Sequence, residues 1–119
     1  MRSILALLLL TSAASAAPVS RQDKAVILDW ARSFMVDPYS LRSTGISDPQ
    51  VISTGARVVC VEYNAKNQVG GYTGIDRKAF VYTPSGFVPS YRGTGGVTNL
   101  TCWGPEFVMR PFPELSSIR

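Results

Sequence analysis

The sequence predicts an α+β fold, in which one N-terminal amphipathic helix packs on a small antiparallel sheet of three to five strands. Two observations predict the elements: a capped stretch with helical spacing of apolar residues comes first, and short stretches with strand-like alternation follow it. The third observation is the length of 119 residues, which suits one domain with one core.

The helix is predicted over residues 20–35. Ser20 and Asp23 match the S-x-x-D capping pattern, which satisfies free backbone N–H groups at a helix start. Asp37-Pro38 predicts the end of the helix, because the residue before a proline is pushed out of the helical conformation. The apolar face has three- and four-residue spacing and contains Ile27, Leu28, Trp30, Ala31, Phe34 and Met35.

Two strong strand patterns follow the helix. The stronger covers residues 56–63, where Val58 and Cys60 face one way and the valines between and after them face the other. The next covers residues 75–82 and ends at a T-P-S-G turn signal. Because a helix with a large apolar face must pack on something, these strands are the expected support for it.

Three weaker stretches complete the predicted sheet. Residues 40–47 are predicted to be an edge strand, and residues 87–92, which contain a proline, an edge or irregular strand. Residues 106–109 are compatible with a short strand or with one helical turn. The prolines at 111 and 113 exclude a long C-terminal helix.

The N-terminus has the pattern of a signal peptide. A basic start is followed by an apolar run over residues 4–10 and then by small residues, in which Ala14-Ser15-Ala16 matches the A-x-A cleavage pattern. The apolar run is much shorter than the roughly 20 residues that span a bilayer, so no stable membrane insertion is expected. We therefore predict a signal peptide over residues 1–16, one domain over residues 17–119, and export to the periplasm or the extracellular space.

Cys60 and Cys102 are the only two cysteines. In an oxidising compartment an even number of cysteines favours pairing, and two cysteines allow one intramolecular connectivity. A redox or nucleophilic pair is the alternative, but the chain has no C-x-x-C motif and no histidine to activate a thiolate. The sequence predicts a structural Cys60–Cys102 disulfide.

The net charge of +4 is carried by basic residues scattered along the chain. Nucleic-acid binders usually cluster such charges, so no nucleic-acid partner is expected. Contact with an acidic surface such as anionic lipid or polysaccharide stays open.

The stretch over residues 64–74, NAKNQVGGYTG, joins the two strongest strand patterns and is long for a hairpin link. One interpretation is an ordered loop whose asparagine amides bond its own backbone. The other is a binding site, because glycines let a ligand approach the backbone and a lysine can meet an anion. No P-loop is present, since G-K-[ST] is missing. The candidate binding residues are Asn64, Lys66, Asn67, Gly70, Gly71, Tyr72 and Gly74.

This stretch, with the preceding V-C-V-E-Y and the Asp37-Pro38-Tyr39-Ser40 segment, resembles a family of small exported bacterial proteins of uncharacterised activity. Those proteins share a V-C-G-x-x-N-A-K-N-x-x-G-G-Y-x-G pattern and a D-P-x-S segment after a capped helix. This sequence departs from the pattern at Val61, where the family often has glycine, and in its proline-rich tail. The resemblance implies the α+β fold, a bacterial source and export, and it implies no catalytic residues.

Aromatic residues divide into two groups. Tyr72 and Trp103 lie among glycines or prolines, where an exposed ring could bind a sugar or anchor a partner. The favoured interpretation is that each ring folds back over a neighbouring strand. Four other aromatic residues are predicted to lie in the core, namely Trp30, Phe34, Phe80 and Phe87.

The catalytic patterns are weak. Without histidine, Ser-His-Asp and Cys-His arrangements are absent, and the acidic spacings match no calcium loop, so no metal and no cofactor is expected. Glu62, Asp76 and Glu106 could be combined into a carboxylate pair, but their spacing does not favour one.

The sequence therefore predicts a non-enzymatic, exported binding or accessory module of the cell envelope that contacts an envelope protein or polymer through residues 64–74. A purely structural domain without a discrete site is the first alternative, and a small carboxylate-dependent hydrolase is the second. The oligomeric state stays open.

Overall fold

A computed structural model describes residues 18–119 of the chain. The predicted signal peptide lies outside the described residues. The helices are α1 (Arg21–Phe34) and α2 (Pro113–Ser116), with 3-10 helices at Pro38–Ser40, Thr94–Gly96 and Asn99–Trp103. The strands are β1 (Arg42–Ser47), β2 (Gln50–Val51), β3 (Arg57–Lys66), β4 (Tyr72–Thr83), β5 (Gly86–Pro89) and β6 (Met109–Pro111). Within residues 18–119, no helix is long and apolar enough to cross a membrane.

Helix α1 begins and ends within one residue of the prediction. The Ser20 hydroxyl accepts a hydrogen bond from the Asp23 backbone N–H at 3.1 Å, as the capping pattern requires. Trp30 is buried on the sheet, but the prediction that Phe34 lies in the core is wrong, because its side chain is 66% exposed. Phe34 is the last helical residue and contacts the ring of Tyr91 instead, at 6.0 Å between centroids.

The sheet is antiparallel and its strands follow the order β5-β4-β3-β1-β6, with β2 paired to one end of β3. The α+β class is confirmed, but six strands form where three to five were predicted. The prediction missed β2, because two residues are too few to show a periodic pattern. It offered a short strand at residues 106–109 as one of two options, and the strand β6 lies at Met109–Pro111 instead. The prediction that β1 is an edge strand is wrong, since β6 pairs along its outer side.

The β3–β4 hairpin is longer than the sequence predicted. Residues 64–74 are not an eleven-residue loop, because Asn64 pairs with Ile75 and Lys66 pairs with Tyr72. The connecting turn shrinks to residues 67–71. Asparagine and glycine have low strand propensity, so local pattern alone does not reveal that the strands continue.

Strand β3 lies between two apolar cores, and its side chains alternate between them as predicted. The helix-side core contains Val19, Ile27, Trp30, Ala31, Leu41, Ile46, Val59, Val61, Phe80, Phe112, Leu115 and Ile118. The disulfide-side core contains Val58, Cys60, Ala79, Val81, Val97, Cys102 and Phe107. The chain after β5 supplies the cover for the second face, so the sheet is covered on both sides.

The Cys60–Cys102 disulfide is formed, with 5.5 Å between the two Cα atoms. It joins β3 to the 3-10 helix at Asn99–Trp103, and both cysteines are fully buried. Nη1 of Arg77 donates to the Cys102 carbonyl at 2.7 Å and holds the same helix to β4. A sequence separation of 42 residues corresponds to roughly 4 kcal/mol of stabilisation in the chain-entropy description.

A polar contact fixes the N-terminal end of α1 on the sheet. The Tyr82 hydroxyl, on β4, donates to Oδ2 of Asp23 at 2.8 Å. Burial, followed by this hydrogen bond to a carboxylate, raises the pKa of Tyr82 to about 12. The protonated phenol is therefore the form that the folded protein favours.

We expect the free energy of unfolding to decrease as the pH rises from 10 towards 12. In that interval the unfolded chain releases the Tyr82 proton while the folded protein keeps it, and this difference favours unfolding. Urea unfolding across the interval measures the slope. Tyr82→Phe should flatten the decrease relative to the wild type, whereas Tyr39→Phe, on an exposed ring, should not. Equal slopes for the wild type and Tyr82→Phe would contradict the assignment.

Candidate functional site at the β3–β4 hairpin tip

The seven predicted binding residues lie at one end of the β3–β4 hairpin. We call residues 64–74 the hairpin tip. Asn64 and Lys66 belong to the end of β3, Tyr72 and Gly74 to the start of β4, and the remaining three to the turn. The structure therefore brings them together because the two strands pair, and not because a loop folds over them.

Asn67 organises the turn. Its side-chain Oδ1 accepts hydrogen bonds from the backbone N–H groups of Val69 at 3.0 Å and Gly71 at 3.1 Å. Its own N–H donates to the Gly71 carbonyl, and its carbonyl accepts from Gly70. Gly70 has a φ of +80°, which a residue with a side chain adopts only under strain. The amide of Asn67 thus serves the shape of the turn.

Asn64 has a similar task one step along the hairpin. The pairing shifts register between Asn64 and Lys66, and Oδ1 of Asn64 accepts from the Gly74 N–H at 3.1 Å. Gly74 has a φ of +99°, so it supplies the conformation that the irregularity needs. The side-chain Oδ1 atoms of both asparagines therefore bond the backbone of residues 64–74 itself, which is the first of the two interpretations of this stretch.

Ser40 ties the hairpin tip to the segment between α1 and β1. Its hydroxyl donates to the Asp37 carbonyl at 2.8 Å and accepts from the Lys66 N–H at 3.1 Å. Its carbonyl accepts from the Tyr72 hydroxyl at 2.9 Å. The D-P-Y-S segment and the N-A-K-N-x-x-G-G-Y-x-G stretch are therefore parts of one hydrogen-bonded unit.

Tyr72 folds back over its neighbours, which agrees with the favoured interpretation of its ring. The Arg42 guanidinium lies 3.4 Å from the ring centroid, and Nζ of Lys66 lies 5.5 Å from it. Sequence reasoning missed Arg42. It reaches the hairpin tip because β1 pairs with β3, where Arg42 is opposite Asn64, and no local pattern reports that register.

Apolar side chains remain exposed near the turn. An open groove of about 430 Å³ is lined by Val36, Asn67, Gln68 and Val69. The side chain of Val69 is 89% exposed at the outermost turn. The groove thus lies between the hairpin tip and Val36, which follows α1.

The two cations near Tyr72 have no carboxylate partner within 4.0 Å among residues 18–119. Four ion pairs occur in that part of the chain, none of which includes Arg42 or Lys66: Lys24–Glu114, Arg32–Asp29, Arg77–Glu62 and Arg110–Asp48. Exposed Val69 and two cations without an ion-pair partner among residues 18–119 thus lie at or next to the hairpin tip.

Glu62 and Asp76, two of the carboxylates considered for a hydrolytic pair, are not brought together. Glu62 is opposite Arg77 and binds it at 2.8 Å, whereas Asp76 is opposite Tyr63 on the other face of the sheet. Burial and then the Asp76 carboxylate raise the pKa of Tyr63. In the described chain, no three acidic or cysteine side chains are grouped in a way that could hold a metal ion.

Trp103 lies on the disulfide side, away from the hairpin turn. Its ring is half exposed and covers the Arg77 guanidinium at 4.4 Å. Arg77 in turn bonds Glu62 and the Cys102 carbonyl. Trp103 therefore folds over the sheet, as Tyr72 does.

Comparisons with known proteins find no matching protein family, no similar curated protein and no similar solved structure. The resemblance to small exported bacterial proteins stays a prediction, and the function must be argued from the geometry of the hairpin tip.

We expect Asn67→Ala to lower the free energy of unfolding by about 1–2 kcal/mol, because two turn N–H groups lose their acceptor. The neighbouring exposed substitution Gln68→Ala is the matched control and should change stability by less than about 0.5 kcal/mol. Urea unfolding of the three proteins measures both differences. Equal stability of Asn67→Ala and Gln68→Ala would show that the amide does not hold the turn.

Proposed function

We propose that the protein is an exported, non-enzymatic binding module of the cell envelope and that it holds an envelope partner on the hairpin tip. The observation that carries the proposal is the combination of exposed apolar side chains and two cations that form no ion pair among residues 18–119, at or next to a tip held by its own hydrogen bonds. The buried disulfide supports the exported location, because disulfides persist in oxidising compartments.

A preorganised surface is what a binding module needs. The turn at Asn67 and the contact between Ser40 and Lys66 fix the backbone beneath Val69 and Lys66 before any partner arrives. Ordering a flexible loop on binding costs free energy, and this cost is small when the loop is already held. Such order around exposed apolar side chains favours contact with another molecule, because these side chains add nothing to the core.

The proposed surface assigns different tasks to the predicted residues. Asn64 and Asn67 position the tip, because their side-chain Oδ1 atoms accept hydrogen bonds from its backbone N–H groups. Lys66 directs its ammonium group towards Tyr72, and Val69 is exposed at the turn. We expect these last side chains, together with Arg42, to contact the partner.

A purely structural domain without a discrete site is the second candidate. It is favoured by the internal hydrogen bonds of Asn64 and Asn67, which give the sequence pattern a task within the fold. This alternative leaves the exposure of Val69 and the unpaired state of Arg42 among residues 18–119 without a role.

Site-specific photocrosslinking tests the proposal in cells that produce the protein. Val69→p-benzoylphenylalanine places the crosslinker on the hairpin tip, and Leu100→p-benzoylphenylalanine is the matched control, since these side chains are 89% and 80% exposed. We expect a discrete adduct with an envelope component from position 69 and none from position 100.

Two crosslinking results would contradict the proposal. Either identical adducts from both positions or no adduct from position 69, with the folded variant present in the envelope fraction, would favour the purely structural domain.

A further inference from the structure

We infer that the element recognised at the hairpin tip is an acidic peptide segment, whose carboxylates are bound by Arg42 and Lys66 around Tyr72. This inference rests on the proposed function and names the chemistry of the partner.

The Arg42 guanidinium is held in an orientation that suits binding of a carboxylate. Its guanidinium lies 3.4 Å from the centroid of the Tyr72 ring, and the ring is fixed by the hydrogen bond from its hydroxyl to the Ser40 carbonyl. A guanidinium stacked on an aromatic face keeps the N–H groups at its edge free to bind a carboxylate through two parallel hydrogen bonds. The side chain is exposed, so a ligand can reach it.

The backbone next to Arg42 is strained. Ser43 has a φ of +53°, an uncommon conformation for a residue with a side chain, and the β1–β3 register shifts between Arg42 and Gly45. Such bulges redirect the side chains next to them and recur beside functional sites. Arg42, which lies over Tyr72, directly precedes this irregularity.

Lys66 adds a second cation to the same ring. Its backbone N–H is held by Ser40, and its Nζ is 5.5 Å from the centroid of the Tyr72 ring. Two positive side chains around one ring repel each other unless an anion lies between or beside them, and no carboxylate of residues 18–119 is within 4.0 Å of either. An acidic ligand relieves that repulsion.

The exposed apolar side chains near the turn favour a peptide over a polysaccharide. Val36 and Val69 line an open groove, and Asn67, which follows Lys66 directly, forms part of its wall. A peptide that alternates acidic and apolar residues offers carboxylates to Arg42 and Lys66 and aliphatic groups to the valines. A uronic-acid polymer supplies the carboxylate but has no aliphatic side chain for the valines.

The test is an NMR titration of the oxidised, ¹⁵N-labelled protein with the peptide acetyl-Glu-Val-Glu-Val-Glu-Val-amide. We expect saturable shifts of the backbone amides of Lys66, Val69 and Tyr72. The double substitution Arg42→Gln/Lys66→Gln should weaken binding by about tenfold or more. The single substitution Arg42→Gln should weaken it less, and unchanged amide shifts outside the tip show that each variant is folded.

Three controls make the result specific. Arg21→Gln/Arg119→Gln removes the same charge from exposed side chains at the start of α1 and at the C-terminus, and it should leave binding unchanged. The uncharged peptide acetyl-Gln-Val-Gln-Val-Gln-Val-amide should bind at least about tenfold more weakly than the acidic one. Oligogalacturonate tests whether a carboxylated sugar chain replaces the peptide.

Several results would overturn the inference. Equal binding of the glutamine peptide, equal loss in Arg21→Gln/Arg119→Gln, or no binding of any probe would each refute recognition of a carboxylate at this site. Binding of oligogalacturonate without binding of the acidic peptide would refute the peptide and favour a polymer. If position 69 still gives a specific crosslink in any of these cases, only the inference fails and the proposed function survives.

Discussion

Strand β3 is buried on both faces, and the remaining structure depends on that constraint. It pairs with β1, β2 and β4, and it carries the cysteine that fastens the C-terminal third of the chain to the sheet. A strand with apolar side chains on both faces requires two covers. Helix α1 and α2 provide one, and the segment from Val97 to Phe107 provides the other.

The hairpin tip exists because β3 and β4 continue beyond both cores. Past Val61 the strand has no fully buried side chain, and only Tyr63 and Ala65 pack against the helix-side core, so apolar burial holds this end less firmly. Polar contacts hold the tip instead, from Ser40 to Lys66 and from Asn64 and Asn67 to the turn. Apolar and cationic side chains are thereby left free to face outward, which is the basis of the proposed binding surface.

Much of the fold could be predicted because its signals are local. The cap at Ser20, the alternation along β3 and the pairing of two cysteines each depend on few residues. Arg42 could not be predicted as part of the site, since it reaches Tyr72 only through the β1–β3 register. The same limit applies to β6, which pairs with a strand more than sixty residues earlier in the chain.

Hydrogen exchange measured residue by residue tests most directly whether the hairpin tip is held as described. The N–H groups of Lys66, Gly71 and Gly74 donate to Ser40, Asn67 and Asn64, respectively. We expect these three amides to exchange more than about tenfold slower than the Gln68 amide, although all four lie outside the cores. Exchange of all four at the rate of an unfolded chain would contradict it, because no preorganised surface would then exist.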